Sequence, residues 1–140
     1  MTSQELWQLV ADSRNGVLAT INRDGTPQLS NIYYLSDPSA GIVRFSTTTV
    51  RTKGRNLLRD SRATLQVAGK DFFNFAVVTG AATLFVPRLA DDPAVDELFA
   101  IHSKLGAAID RSGFGEEMLA TNRMAVRLDV DRIYGQVLNR

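Results

Sequence analysis

The residues best suited to chemistry in this chain are cations and hydroxyls clustered between Ile42 and Arg62. The four residues 46–49 all carry hydroxyls, and six cations share the segment, namely Arg44, Arg51, Lys53, Arg55, Arg59 and Arg62. Asp60 is the only carboxylate among them. An apolar strand that runs into a helix start leaves backbone amides free, and nearby cations and hydroxyls add further donors. The pattern predicts an anion site suited to a phosphate group.

The basic residues of this segment are expected to divide into two sets. Arg51, Lys53 and Arg55 alternate before a regular helix is established, so we expect them to point from a loop toward one ligand. Arg59 and Arg62 lie three residues apart and are expected to face solvent. A solvated helix face remains the alternative for the whole cluster.

The hydroxyl side chains of residues 46–49 could contact a ligand or cap a neighbouring element. At least one of these side chains is expected to cap the strand end or the helix start. Thr47 is the predicted ligand contact among them. Gln28 and Asn31 lie in a strand predicted to be half-buried, where polar groups need a backbone, water or ligand-ring partner. Phe75 belongs to a cluster with Phe72 and Phe73, of which one is expected to border a ring pocket.

No acid, base or nucleophile set is evident in the sequence. His102 is the only histidine, and its position on an apolar helical face predicts a packed core residue or a structural hydrogen-bond partner, without a functional role. Cysteine is absent and no Gly-x-Ser-x-Gly motif occurs, which disfavours hydrolase triads and metal sites. If the chain is an enzyme, a cofactor carries its chemistry.

Composition predicts one soluble globular domain over residues 1–140. The chain is 44% hydrophobic and has a net charge of +1, which disfavours a surface that tracks nucleic acid. Binding of nucleic-acid phosphates by residues 51–62 remains an outside alternative. The absence of cysteine fits a reducing compartment, and no leader or membrane-spanning run is evident. We therefore expect a cytoplasmic location without a membrane partner.

Periodicity and turn signals predict a mainly β fold with helices. Helices are expected over 3–14, from about 51 to Asp60, from 93 to about 109, and as a short turn over 116–120. Strands are expected over 16–22, 27–35, from 42, 63–68, 72–86 with a bend at Gly80, 124–130 and 133–138. Six or seven strands in hairpin order indicate an antiparallel sheet closed, or nearly closed, into a barrel of the α+β class.

The order of three motifs resembles a known family. These motifs are GVLATI at 16–21, DGTPQLSN at 24–31 and RTKGRNLLRDSRA at 51–63, and the matching order continues to IYG at 133–135. The chain resembles the pyridoxamine 5'-phosphate oxidase-like split β-barrels. The closest similarity is to the actinobacterial branch that uses the deazaflavin coenzyme F420.

The resemblance implies an FMN-binding-like split β-barrel that forms a homodimer, with two cofactor sites at the subunit interface. It assigns Lys53 and Arg51 to the cofactor phosphate, Ser46 and Thr47 to the phosphate or ribityl chain, Gln28 and Asn31 to the surroundings of the ring, and Arg55 to the acidic tail of a deazaflavin. Phe75 stands where flavin-using oxidases commonly have a polar residue for the ring. Vitamin B6 oxidation is not expected, because the C-terminal Trp and Arg-x-His elements of the true oxidase are absent.

The leading functional prediction is an oxidoreductase in which reduced F420 gives a hydride to a conjugated small-molecule substrate. Two alternatives stay open: an FMN-dependent reductase or oxidase that uses the same phosphate site, and a non-enzymatic carrier or sensor of either cofactor. The sequence identifies neither the proton donor nor the substrate.

Overall fold

The computed structural model describes residues 2–106 and 108–138. The helices are α1 (Ser3–Ala11), α2 (Thr52–Arg59), α3 (Pro93–Leu105) and α4 (Phe114–Ala120). The strands are β1 (Asn15–Ile21), β2 (Pro27–Tyr33), β3 (Leu35–Asp37), β4 (Ile42–Thr48), β5 (Arg62–Ala68), β6 (Phe75–Phe85) and β7 (Arg123–Gln136). All pairings are antiparallel, in one seven-stranded sheet of order β2-β1-β5-β6-β7-β4-β3. This curled sheet, a half-barrel with four helices, confirms the predicted mainly β split-barrel class.

The bend predicted at Gly80 is confirmed. The pairing of β6 with β7 shifts register between Thr79 and Gly80, where a side chain on Gly80 would overlap the carbonyl oxygen of Asp129. The prediction of two strands at 124–130 and 133–138 was wrong. β7 is one continuous strand, because β6 pairs with it on both sides of the register shift.

The start of β6 also differs from the prediction. Phe72 and Phe73 lie outside the strand in a turn, where the amide of Phe73 donates to the Asp71 carboxylate at 3.0 Å and the amide of Asn74 donates to the Asp71 carbonyl at 2.9 Å. These side-chain and backbone bonds favour a turn over an extended chain. Both phenylalanines are exposed.

The two edges of the sheet are joined by one residue. The sequence pattern predicted a single strand to residue 35, whereas β2 ends at Tyr33 and a separate strand, β3, begins at Leu35 on the opposite edge. Tyr34 between them is fully buried. Its hydroxyl donates to the Val10 carbonyl at 2.7 Å and its amide donates to the Arg14 carbonyl at 2.8 Å. We call this crossing the seam.

Two apolar clusters fix the helices to the sheet. The larger fills the half-barrel and includes Leu6 and Val10 of α1, which begins with the capping box of Thr2 and Glu5. The smaller packs α3 and α4 on β7, through Val95, Leu98, Ile101, Phe114, Met118 and Ala125. α3 therefore lies beside the end of the sheet where the basic segment begins. None of the helices in the described part of the chain has the length and apolar character to cross a membrane.

Candidate functional site

A cleft of about 310 Å³ lies at the seam. It gathers the end of β2, the middle of β4, the start of α2 and the end of α3. Its lining residues are Asn31, Ile32, Tyr33, Ser46, Arg51, Lys53, Ile101, His102, Leu105 and Gly106. Residues distant in sequence thus face one space.

The start of α2 is placed by close packing on the end of β4. The hydroxyl of Thr48 accepts a hydrogen bond from the amide of Arg51 at 3.1 Å. Gly54 is buried, and a side chain there would overlap the carbonyl oxygen of Thr48. A glycine in a helix lowers its stability relative to alanine, but here it permits the approach. Arg51 and Lys53 are thereby held at the cleft.

Two cations that line the cleft, Arg51 and Lys53, and the neighbouring Arg123 repel one another. Burial lowers the pKa of Lys53, and the positive charges of Arg51 and Arg123 lower it further. Burial and Arg51 likewise lower the pKa of Arg123, while the carboxylate of Glu117 raises it. Among residues 2–106 and 108–138, the ion pairs within 4.0 Å involve none of these three cations. A bound anion would relieve this repulsion, so the arrangement is suited to an anion.

Ser46 connects these cations to His102. The Oγ atom of Ser46 lies 2.9 Å from His102 Nε2 and accepts a hydrogen bond from Arg123 Nη1 at 3.5 Å. Burial lowers the pKa of His102, and Arg123 lowers it further, while Glu117 raises it. The imidazole is therefore neutral near pH 7.

Sequence reasoning missed both of these residues. The ring of His102 contacts Phe114 edge to face at 5.6 Å and Nε2 lies 2.9 Å from Ser46 Oγ, which agrees with the predicted packed or hydrogen-bonded residue. The prediction did not place His102 in the cleft that it lines. Arg123 stands 77 residues from Ser46. It reaches the site because β4 pairs with β7, with Thr48 opposite Arg123, and no local signal in the sequence indicates that pairing.

Four of the eight predicted cofactor contacts line the cleft: Lys53, Arg51, Ser46 and Asn31. Thr47 does not. Successive side chains of a strand point to opposite faces, and Thr47 shares the buried face of β4 with Val43 and Phe45. It is 1% exposed, and its hydroxyl has no hydrogen-bond partner among the described residues. Ser46 is the hydroxyl that faces the cleft.

The other three predicted contacts also lie elsewhere. Gln28 and Asn31 are three residues apart on β2, so their side chains point to opposite faces of the strand. Gln28 pairs with Thr20 of β1. Arg55 lines a second cleft of about 640 Å³, with Asn22, Arg23, Thr52, Asn56, Leu58 and Arg59. Phe75 opens β6, paired with Ala68 and Gln136, and is not among the lining residues of the cleft at the seam.

Comparison with known proteins decides the family. The sequence profile of the pyridoxamine 5'-phosphate oxidase family matches residues 2–137. The chain belongs to this family. Its membership confirms the resemblance carried by the motifs at 16–21, 24–31 and 51–63.

Solved structures of similar fold include several pyridoxamine 5'-phosphate oxidase-like proteins. An "F420 Reductase" matches with a TM-score of 0.69 at 22% identity, over 92% of this chain and 95% of that one. A heme binding protein from Mycobacterium smegmatis matches with a TM-score of 0.66 at 22% identity, over 92% of this chain and 51% of that one. A putative pyridoxamine 5'-phosphate oxidase from Listeria innocua matches with a TM-score of 0.65 at 13% identity, over 94% and 95%. At these identities the likeness establishes the fold.

The family membership gives a coarse function. Pyridoxamine 5'-phosphate oxidase-like proteins are oxidoreductase-like, and their fold binds flavin-type cofactors. Within residues 2–106 and 108–138, no group of three or more His, Cys, Asp or Glu side chains is placed to hold a metal ion. The cations that line the cleft at the seam, Arg51 and Lys53, carry the charge that a phosphate-bearing ligand would need.

Proposed function

We propose that the chain is an oxidoreductase that binds the deazaflavin coenzyme F420 and delivers its hydride to a conjugated small-molecule substrate. The observation that carries the proposal is the group of three mutually repelling cations, Arg51, Lys53 and Arg123, around the Ser46 hydroxyl. Bound F420 would supply the hydride. The protein would bind the phosphate, orient the cofactor and exclude water.

The residues at the seam fit a phosphate group. Two guanidinium groups, an ammonium and a hydroxyl offer donors for several phosphate oxygens. The volume, about 310 Å³, is at the lower end of ligand pockets. It suits the phosphate and the adjoining chain, so we propose that the ring extends past Asn31 onto the outer face of β2.

A second copy of the chain is the proposed cover for that face. The outer side of the β1–β2 hairpin exposes Val17 at 36%, Leu29 at 62% and Tyr33 at 70%. Val17 pairs with Asn31, which lines the cleft, so this apolar face is continuous with the proposed site. Apolar surface of this kind beside a ligand cleft is typical of an interface. We propose a homodimer whose partner subunit completes each site.

A matched pair of variants tests the dimer. Leu29→Glu places a charge on the proposed interface and should give a monomer with weakened cofactor binding. Leu89→Glu is the control, because Leu89 is 64% exposed in the loop before α3. Sedimentation velocity measures the oligomeric state. If Leu29→Glu sediments like the unmodified protein, the interface lies elsewhere.

Arg55 is proposed to bind the acidic tail of F420. The two clefts adjoin at the start of α2, because Lys53 lines the cleft at the seam while Thr52 and Arg55 line the second cleft. Arg23 and Arg59 add positive charge to the second cleft. FMN lacks an acidic tail, so Arg55→Ala should weaken the binding of F420 and leave that of FMN unchanged.

Cofactor choice is tested by binding and by turnover. F420 and FMN are each added to the purified protein, and the coenzyme that binds should raise the melting temperature. Calorimetry then gives the dissociation constant, and no binding of F420 at tens of micromolar would end the F420 proposal. A yellow protein that releases FMN on denaturation would favour the FMN alternative. Binding without oxidation of reduced F420 by quinones, enones or tetrapyrroles would favour a carrier.

A further inference from the structure

We propose that His102 and Ser46 form a proton-coupled arm of the anion site, in which a bound anion accepts from the Ser46 hydroxyl while protonated His102 donates to Ser46. The inference deepens the proposed function and rests on its phosphate site. It makes His102, which the sequence pattern left without a role, a determinant of ligand affinity.

In the proposed free state the Ser46 hydroxyl donates to His102 Nε2, which is one of the two directions that the imidazole tautomers allow for this contact. Arg123 Nη1 can only donate, so one of the two lone pairs of Ser46 Oγ is directed to it. The Ser46 hydrogen is then available for His102 Nε2, which lies 2.9 Å away. A neutral imidazole that accepts at Nε2 carries its own proton on Nδ1. In this tautomer the free site holds its hydroxyl turned toward the helix.

Binding reverses this bond. An anion at the cleft attracts the Ser46 hydrogen, the hydroxyl turns toward the anion, and Nε2 loses the hydrogen bond that it accepted. One proton from solvent then adds to Nε2, and the imidazolium donates back to Ser46 Oγ. No covalent bond of the ligand changes, and the balance is one anion bound with uptake of up to one proton.

The charges around His102 favour this coupling. Arg123 of β7 faces it, and Arg51 and Lys53 of the α2 segment share its cleft. Glu117 of α4 is the carboxylate that raises its pKa. On α3 itself, Glu97 pairs with Arg44 of β4 at 3.7 Å. Another positive charge is unfavourable in the free site but becomes favourable once an anion neutralises the cations.

The single histidine makes the test direct. In tag-free protein, the Cε1 proton of His102 gives one NMR signal whose pH titration reports its pKa. The probe is sodium sulfate, which keeps its charge over pH 5.5–8, compared with sodium chloride at equal ionic strength. We expect sulfate to raise the pKa of His102 above its value in chloride. Sulfate affinity should then increase about tenfold as pH falls, for each unit of that rise.

Two variants separate the arm from simple charge attraction. His102→Gln keeps a hydrogen-bonding side chain that cannot be protonated, and its sulfate affinity should be constant from pH 8 to pH 5.5. Ser46→Ala should bind sulfate through the cations but lose most of the rise in the His102 pKa. Ser36→Ala on β3 is the control and should keep the full rise.

Each outcome decides the proposal. An equal His102 pKa in sulfate and chloride overturns it, as does a full rise in Ser46→Ala. If F420 or FMN binds in calorimetry while the His102 pKa stays constant, only this inference fails. If neither sulfate nor either cofactor binds, the phosphate site and the proposed function fail with it.

Discussion

Replacing Lys53 with alanine should weaken cofactor binding without destabilising the protein. Lys53 is half-buried, and its pKa is lowered by burial and by repulsion from Arg51 and Arg123. In the free protein its removal relieves that repulsion, so the melting temperature should stay constant or rise. In the complex, the same removal deletes a charged hydrogen bond to the phosphate.

The expected magnitude follows from that hydrogen bond. A bond to a charged group contributes about 1.5 to 3 kcal/mol, which corresponds to a loss of affinity of about tenfold to 150-fold. A lysine on the surface away from the cleft would change affinity far less, because exposed charges are screened. Lys70, exposed in the turn before β6, is such a residue.

The assay compares Lys53→Ala with Lys70→Ala by calorimetry and thermal denaturation. Both variants remove one positive charge, so a general effect of net charge appears in both. Equal cofactor affinity in Lys53→Ala and the unmodified protein would remove Lys53 from the site. A marked fall in melting temperature in the absence of ligand would show instead that Lys53 stabilises the fold, contrary to the repulsion described above.

Three further predictions concern the elements that hold the site. Gly54→Ala should cost about 1 to 3 kcal/mol of stability, because the new methyl group overlaps the Thr48 carbonyl, and it should also weaken cofactor binding; chemical denaturation and calorimetry check both. Tyr34→Phe should cost about 1 kcal/mol in urea unfolding, because the Val10 carbonyl loses its hydroxyl donor. The pKa of His102 is lower in the folded protein than its unfolded value of about 6.5. The unfolded state therefore binds more protons, and the stability of the ligand-free protein should fall as pH drops below about 6.5. His102→Gln should remove that part of the decline in melting temperature.

Much of the fold could be predicted from the sequence because its signals are local. The capping spacing of Thr2 and Glu5, the alternation in β5 and the glycine at the β6 bend each depend on a few neighbouring residues. The short β3 could not be predicted in this way. Its three residues continue the apolar and polar pattern of β2, and only the burial of Tyr34 in the sheet interior separates the two strands.

The sequence could indicate part of the lining of the candidate cleft, for a similar reason. Arg51, Lys53 and Ser46 come from one segment, so their spacing in sequence indicated their proximity. Arg123 and His102 arrive from elements that long-range pairing and helix packing place there. Ser46 and Thr47 were both predicted contacts, with Thr47 preferred. Which of them faces the cleft depends on strand facing, which a run of four hydroxyl residues does not reveal.

The seam has a consequence for ligand access. The wall of the cleft that β2 forms ends at Tyr33, and the wall that α3 forms ends near Lys104. The carbonyl of Lys104 accepts a hydrogen bond from Arg14 Nη1 at 2.7 Å. The carbonyl of Arg14 in turn accepts from the Tyr34 amide. A single arginine therefore ties both walls to the segment after α1, a helix that gives no lining residue to the cleft. Loss of the Arg14 side chain should therefore remove the link between the end of α3 and the segment after α1 without altering any residue that lines the cleft.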